Sequence, residues 1–318
     1  NHGIKLYNPA NIYAYAGGCC VMVASGTTSK HIELNHIEME SGGWAGTIVA
    51  PDTVAKNQGV YATGVTGDWV VKNCYIHNCG QQWVLISNPT PNYLFDNCYF
   101  KNGGSGSSAL HSAGLWIYDN QENMNIIIRN NIFENFTGTG YISMSYRATE
   151  TPVISGGYKI YGNIFKETDS LAGPSRLIGT NSGGYGAPIV NDVSFYNNTI
   201  CNLHGALSSR ITFSAVGSNV IATNNIWYNC EASPLFINIT ESNNIKNDLE
   251  YNPFIDINNG DYRLTDNLLG GIKLNNVDSL DPVGLIRGQD GIWDIGAYEY
   301  YEIPDTTPSA PTITSVSP

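Results

Sequence analysis

The sequence is poor in charged residues and has no long apolar run. Only 13% of its 318 residues are charged, and 15 lysines and arginines stand against 27 aspartates and glutamates, a formal net charge of −12. Phosphate binding needs clustered basic side chains, so this balance argues against a nucleic-acid partner. No apolar stretch approaches the 18 residues typical of a membrane-spanning helix, so membrane insertion is not expected.

The seven cysteines follow no recognisable motif. Their odd number rules out complete intramolecular pairing, and no CxxC or Cys/His cluster with metal-ligand spacing occurs. We therefore interpret most of them as small buried hydrophobic residues and predict no metal site. A Ca²⁺ ion held by loop carboxylates is an open possibility that no sequence motif supports.

Glycine (34) and asparagine (37) are abundant, and the asparagines recur in a repeated pattern. The pattern reads apolar-x-apolar-x-Asn-[Cys/Asn]-x-apolar-x-Asn. It occurs at residues 68–79, 92–103, 125–136, 157–168, 192–203 and 219–230, after a looser copy at 30–41. The spacing between copies is irregular but lies in the range of solenoid repeats.

Each copy predicts a strand, a sharp bend and a second strand. Alternating apolar residues are typical of strands with one buried face, and asparagine tolerates the left-handed backbone conformation of a tight bend. We predict a parallel β-solenoid of about eight coils, stacked ~4.8 Å apart. The asparagines at the bends should then form a ladder, with Gly162 in one coil: Asn35, Asn73, Asn97, Asn130, Asn197 and Asn224. A β-sandwich with Asn-rich turns explains the recurrence less well.

The repeat 128-IRNNIFENF-136 resembles that of bacterial right-handed parallel β-helix proteins of the pectate-lyase-like superfamily. The segments 253-PFIDINNGDYRL-264 and 294-DIGAYEY-300 are similar to the closing segment of many secreted members. The resemblance covers roughly residues 4–300, although the usual Ser-Pro-Ala-Ile-Asp between the two closing segments is absent. It implies an all-β, right-handed parallel β-helix at an extracellular or bacterial cell-surface location. It does not specify an activity, since this fold hosts lyases, hydrolases, epimerases and adhesins.

The domain organisation follows from a change in composition near the C-terminus. We predict a β-helix domain over residues 1–303, with a closing segment at 250–300, and a Pro/Ser/Thr-rich linker at 304–318. The family's N-terminal Gly-Ser-Asp-x-Asn-Pro-Gly segment is missing, so we expect a processed or truncated start. Residues 311–318 resemble the first strand of an immunoglobulin-like module, which suggests further C-terminal modules in a secreted or surface protein.

In each coil we predict one further strand before the strand pair that flanks the asparagine bend. Successive side chains of a strand point to opposite faces, so their order assigns each of them to the inner or the outer face. The inward set is Val60, Val84, Leu115, Ile142, Leu177 and Ile211, whereas Ile178 and Thr180 are expected to point outward. The outward face should bind substrate through Tyr61, Trp116, Ser143, Ser145 and Arg210, because aromatic faces stack on sugar rings and arginine binds carboxylates. Alternatively, loops fold over these aromatic side chains and bury them.

Candidate catalytic residues flank this face. β-Helix lyases of the family that the sequence resembles use lysine or arginine as the base, often with Ca²⁺; by that resemblance Arg147 is the candidate base. His111 is a candidate acid or base, and Tyr118 a candidate proton donor. A glycosidase needs two carboxylates instead, and Asp119 with Glu150 is the nearest pair.

Three functions remain open at this point. The first is a carbohydrate-active enzyme, a lyase or glycosidase-like module that cleaves an extracellular polysaccharide. The second is a non-catalytic carbohydrate-binding or adhesive module, favoured by the scarcity of lysines and carboxylates on the predicted face. The third is a structural stalk or filament, since a solenoid with an open edge can stack on another copy.

Overall fold

The structure is a computed structural model that describes residues 4–7, 19–23, 31–41, 58–63, 68–87, 92–104, 112–118, 124–145, 154–168, 173–180, 188–266, 270–275 and 279–301. These residues form thirty strands, numbered β1 to β30 in chain order, and one 3₁₀ helix at Ile257–Asn259. Within this part of the chain, no helix is long and apolar enough to cross a membrane.

Three parallel sheets, here named A, B and C, contain most of the strands. Sheet A consists of β1 (Ile4–Tyr7), β4 (Ile37–Glu40), β7 (Tyr75–Cys79), β10 (Tyr99–Gly103), β13 (Ile132–Phe136), β16 (Ile164–Lys166), β19 (Thr199–Cys201), β23 (Ile226–Tyr228) and β26 (Ile245–Lys246). Sheet B consists of β2 (Cys19–Val23), β5 (Gln58–Thr63), β8 (Val84–Ser87), β11 (Ala113–Tyr118), β14 (Gly140–Ser145), β17 (Ile178–Thr180), β20 (Ile211–Thr212) and β24 (Phe236–Ile237). Sheet C consists of β3 (His31–Asn35), β6 (Asp68–Lys72), β9 (Asn92–Asp96), β12 (Asn125–Arg129), β15 (Ile154–Tyr161), β18 (Ile189–Tyr196), β22 (Val220–Thr223) and β25 (Thr240–Ser242), with β21 (Ala215–Val216) beside β18.

The chain visits sheets B, C and A in turn, so the described residues form eight coils of a right-handed parallel β-helix, as predicted. Every pairing within the three sheets is parallel. Each strand therefore lies above its counterpart in the preceding coil, and residues in register form columns that run along the helix axis.

The asparagine bends between sheets C and A adopt the left-handed conformation. Asn73, Asn97, Asn130, Asn197 and Asn224 have φ values of 49–57°, and Gly162 takes the same place in its coil at φ 65°. The first coil differs from the prediction, because Asn35 pairs with Lys72 and His36 adopts the left-handed conformation (φ 57°) instead. The alignment of that looser copy was therefore wrong by one residue.

Some of the bend asparagines bond to one another as predicted, since Asn73 Nδ2 donates to Asn35 Oδ1 at 3.0 Å and Asn97 Nδ2 to Asn73 Oδ1 at 2.8 Å. A longer continuous ladder lies one residue after the bend. It contains Asn131, Asn163, Asn198, Asn225 and Asn244. Each Nδ2 of the first four donates to Oδ1 of the next asparagine at 2.9–3.0 Å and also to a backbone carbonyl, such as that of Ile160 for Asn198. Each Oδ1 of the last four accepts the backbone N–H of the asparagine before it. The ladder thus satisfies buried polar groups at every bend.

The interior of the β-helix is filled by apolar side chains from all three sheets. Phe100, Phe133 and Phe165 form a stack with centroid separations of 4.9 and 4.8 Å. All six residues predicted to point inward from sheet B are buried there. Ile178 was expected on the outside but pairs with Ile142 and is buried, so the face prediction for this strand was wrong by one residue.

The closing segment packs on the outer face of sheet A. It contains β27 (Phe254–Asp256), β28 (Asp261–Leu264), β29 (Gly270–Gly271) and β30 (Trp293–Asp294). Phe254, Tyr262 and Ile295 pack with Ile164 and Ile226 of the coils. Two of the bend asparagines also hold it, because Asn197 donates to the Asp294 carbonyl (2.8 Å) and Asn224 to the Ile272 carbonyl (2.7 Å). The predicted linker at 304–318 lies outside the described residues.

Replacing the ladder residue Asn198 by leucine should destabilise the protein by about 2–4 kcal/mol. The substitution leaves the Ile160 carbonyl and the Asn163 N–H buried without partners, and each such loss costs about 1–3 kcal/mol. Urea unfolding measures the effect. The control is Asn125→Leu, at an exposed position, which should change the unfolding free energy by less than about 0.5 kcal/mol. Equal effects of the two substitutions would contradict the role of the ladder.

Docking of the closing segment should weaken as the pH rises towards neutral. Burial raises the pKa of Asp294 to about 7, with Glu299 and Asp290 adding to the shift and the Tyr300 N–H and Arg287 opposing it. A raised carboxyl pKa stabilises the folded state fully below the unfolded pKa, and this contribution is lost as the pH rises from about 4 to 7. Compared with wild type, Asp294→Asn should show a flatter dependence of unfolding free energy on pH across this window. An unchanged slope would contradict the assignment to Asp294.

Candidate functional site

The outer face of sheet B brings together the described residues that were predicted to bind substrate. One column in register contains Tyr61, Leu85, Trp116, Ser143, Gly179 and Thr212. A second column contains Ser87, Tyr118 and Ser145. Arg210 directly precedes β20 and lies two residues before Thr212. These residues therefore lie on the outer face of sheet B, as the sequence predicted.

Trp116 is not an exposed platform. Its side chain is only 6% exposed, its Nε1 donates to Ser145 Oγ at 2.6 Å, and its ring meets Tyr118 edge-on at 5.9 Å. Ser143 and Ser145 are also buried, so the expectation that all three contact a ligand from an open surface is wrong. Tyr61 and Tyr118 are partly exposed and remain the aromatic rings that this face offers.

Two arginines lie side by side further along the same face. Arg176 is positioned by the turn before β17, and Arg210 by the turn before β20 in the next coil. The Arg210 carbonyl accepts the backbone N–H of Leu177 at 2.7 Å, which joins the two turns. Burial lowers the pKa of Arg176, and the positive charge of Arg210 lowers it further.

Among the residues that the structure describes, neither arginine is neutralised by an acidic side chain. In the described part of the chain no carboxylate forms an ion pair with either guanidinium, although the protein carries 27 acidic residues. Arg176 donates from Nη1 to the Thr180 carbonyl. Two like charges in partial burial repel each other, and an anion between them would lower this repulsion.

Two buried hydroxyls beside Arg176 have no hydrogen-bond partner among the residues that the structure describes. They are Ser143 Oγ and Thr212 Oγ1, on either side of Gly179 in the same column. A Cβ on Gly140 would lie 2.9 Å from Arg176 Cγ and 3.1 Å from Ser143 Oγ, so both border the same small space. A serine or threonine hydroxyl can both donate and accept a hydrogen bond. We name Arg176, Arg210, Ser143 and Thr212 the arginine site.

Arg176 was not among the residues predicted from the sequence, but a signal for it existed. It is the first residue of the strand predicted at 176–181, although the faces assigned to that strand were wrong by one residue. The four predicted catalytic residues Arg147, His111, Asp119 and Glu150 lie outside the described residues, so their roles stay predictions. Tyr118 is described, and it contacts Trp116.

A second group of ionisable side chains lies on the outer face of sheet A. Glu134 is 2% exposed and bonds Lys101 and Lys166, each at 2.9 Å, together with the Tyr99 hydroxyl. Burial opposes its ionisation, but the bonds from Lys101, Lys166 and Tyr99 outweigh burial and lower its pKa to about 2. Tyr262 of the closing segment lies next to Lys166. Such a fully bonded carboxylate is unsuited to exchange protons with a substrate.

His77 belongs to the same face of sheet A. It is buried, bonds Glu38 Oε1 through Nε2 at 3.1 Å, and stacks on Tyr75 with a centroid separation of 4.1 Å. Among the residues that the structure describes, no three His, Cys, Asp or Glu side chains lie close enough to hold a metal ion.

Comparison with known families agrees with this geometry. The model of the right-handed β-helix region matches residues 2–165, and the chain belongs to that family. Comparison with curated proteins and with solved structures gives no significant match. The family relationship establishes the fold and is compatible with either carbohydrate-active or adhesive modules.

Replacing Glu134 by glutamine should cost roughly 3 kcal/mol of unfolding free energy at neutral pH, because it leaves two partly buried lysines without their counter-ion. A lowered carboxyl pKa stabilises the folded state above the unfolded pKa of about 4.3, and this contribution is lost as the pH falls towards 2. The wild type and Glu134→Gln should therefore converge in acid. The control is Glu241→Gln, in an exposed pair with Lys246, which should cost less than about 1 kcal/mol. Chemical unfolding between pH 3 and 7 measures both variants, and a constant difference would contradict the account.

Proposed function

We propose that the outer face of sheet B binds an extracellular acidic polysaccharide, and that the arginine site receives a carboxylate or sulfate group of one sugar residue. The observation that carries this proposal is the pair of neighbouring guanidiniums of Arg176 and Arg210, with which no carboxylate of the described residues forms an ion pair. The extracellular or cell-surface location belongs to the same proposal.

The chemistry of the site favours an anion over a neutral sugar. Arginine presents a planar set of N–H donors that matches the two oxygens of a carboxylate, and Ser143 and Thr212 offer hydroxyl donors next to it. Binding an anion would also relieve the repulsion between the two guanidiniums. The partly exposed rings of Tyr61 and Tyr118 lie on the same face, where a sugar ring can pack on an aromatic side chain.

Cleavage of the polysaccharide is a second candidate function, because arginines on this face can pair with the carboxylate of a uronic acid. A lyase must also remove the proton next to that carboxylate, and this step needs a base. Arg147, His111, Tyr118, Asp119 and Glu150 remain predicted contributors to this chemistry. A stacking filament is the weaker alternative, because the last coil has short strands and an exposed Glu241–Lys246 pair, features that block edge pairing.

Affinity electrophoresis against uronate-containing, sulfated and neutral polysaccharides tests the binding proposal. The protein should be retarded by at least one acidic polymer and not by neutral ones, and raising the salt concentration should weaken retardation. Arg176→Ala and Arg210→Ala should each weaken binding about tenfold, the loss of one charge-assisted contact. The matched control is Arg263→Ala, an exposed arginine paired with Asp261 in the closing segment, which should bind as wild type. Retention by neutral polymers alone would contradict the proposal.

Incubation with the retained polymer separates binding from cleavage. New reducing ends accompanied by ultraviolet absorbance of unsaturated products would identify a lyase, and reducing ends alone a hydrolase. Retention without products would identify a binding module.

A further inference from the structure

The dipeptide Asn-Gly occurs twice in the sequence, at Asn102–Gly103 and at Asn259–Gly260. An asparagine followed by glycine readily loses ammonia from its side chain, because glycine has no Cβ to hinder the attack of its backbone nitrogen on the neighbouring carboxamide. The structure places the two copies in opposite surroundings, so the chain contains a matched pair of sites for this reaction.

Asn102 lies at a bend of the coils and is held by its neighbours in the column. Its Nδ2 donates to Asn78 Oδ1 at 3.1 Å, and its Oδ1 accepts a bond from Asn135 Nδ2 at 3.3 Å. Gly103 is buried in β10, where a Cβ would lie only 2.6 Å from the ring of Trp83. The glycine nitrogen therefore reaches the carboxamide only when this part of the β-helix opens.

Asn259 lies in an open turn of the closing segment. It ends the 3₁₀ helix between β27 and β28, and both Asn259 and Gly260 are exposed. Gly260 adopts the left-handed conformation (φ 81°), and no atom of the described residues beyond its chain neighbours lies within 4 Å of the place that a Cβ would take. The Gly260 N–H donates to the Ile257 carbonyl at 3.2 Å, a bond at the exposed end of a single helical turn. Such helix ends fray, so this turn opens without disturbing the coils.

We propose that Asn259 is a spontaneous modification site, at which the carboxamide is converted through a cyclic imide into aspartate and isoaspartate. The backbone nitrogen of Gly260 attacks Cγ of Asn259, so that a new C–N bond forms and the Cγ–Nδ2 bond breaks. The proton of the Gly260 N–H leaves with Nδ2 as ammonia. One water molecule then opens the imide at either of its two carbonyl carbons, which returns a proton to the nitrogen and leaves a carboxylate.

The Asp256 carboxylate holds Asn259 in the closed turn. Its Oδ1 accepts the Asn259 N–H at 3.2 Å, and its Oδ2 accepts a bond from Asn259 Nδ2 at 2.6 Å. In the closed turn the proton of the Gly260 nitrogen is bonded to the Ile257 carbonyl, so the turn must open before that nitrogen attacks. Removing the Asp256 carboxylate should therefore raise the rate of conversion.

Conversion changes the charge and the length of the turn. It adds a negative charge between Asp256 and Asp261, which are partners across the β27–β28 pair. Isoaspartate also inserts one more carbon into the main chain between the two strands. These strands carry Phe254 and Tyr262, through which the closing segment packs on the coils. Because like charges on facing residues repel, the converted protein should hold its closing segment less firmly.

Incubation of the folded protein at pH 8, followed by digestion and peptide mass spectrometry, tests the proposal. Conversion is measured as the mass increase from amide to acid, and chromatography separates the aspartate from the isoaspartate peptide. We expect Asn259 to convert at least about tenfold faster than Asn102, which reacts only when its coil opens. In urea the two sites should convert at similar rates. Asn258 is the internal control, because it is exposed in the same turn but precedes asparagine, and it should convert much more slowly than Asn259.

Two variants test the role of the turn itself. Asp256→Ala should convert Asn259 faster than the wild type does, and Gly260→Ala should convert it more slowly, because the added methyl group hinders the attack. Three results would overturn the proposal. They are equal rates at Asn259 and Asn102 in the folded protein, faster conversion of Asn102, and conversion of Asn259 in urea alone.

Discussion

The structure depends on how each coil satisfies its backbone at the bend between sheets C and A. A sharp bend in every coil turns N–H and C=O groups towards the interior, where water cannot reach them, and each unpaired group would cost about 1–3 kcal/mol. The carboxamides of Asn131, Asn163 and Asn198 supply a donor and an acceptor at each level. In the earlier coils Cys74 and Cys98 supply the same donor through sulfur. Because the same position is filled coil after coil, the register of all three sheets is fixed.

Fixed register has a direct consequence for charge. Side chains that point outward are stacked in columns only ~4.8 Å apart, so like charges in one column repel unless they are interleaved with opposite ones. Sheet A follows this rule, with Glu134 between Lys101 and Lys166, and sheet C follows it with Arg129 paired to Asp96 at 2.8 Å. Sheet B departs from it at Arg176 and Arg210. This departure, seen in the part of the chain that the structure describes, is the physical reason for proposing that a ligand binds there.

Much of this architecture is readable from the sequence, because alternation and asparagine bends are local signals. The eight coils, the left-handed bends and the inward set from Val60 to Ile211 follow from them. The predictions fail where contacts between residues that are distant in the sequence determine the orientation or burial of a side chain. Ile178 points inward because β17 begins irregularly. Trp116 is buried although its position in the strand places it on the outer face. Asn197 and Asn224 bind a closing segment whose docking face no local pattern encodes. The arginine site needs the alignment of two coils, which one strand alone does not show.

The most direct test of the account is a crystal structure of the protein with an acidic oligosaccharide that it retains in affinity electrophoresis. The account predicts that a carboxylate or sulfate of the ligand lies within hydrogen-bond distance of the Arg176 and Arg210 guanidiniums. A ligand bound away from sheet B, or these two arginines engaged by carboxylates of the protein itself, would contradict it.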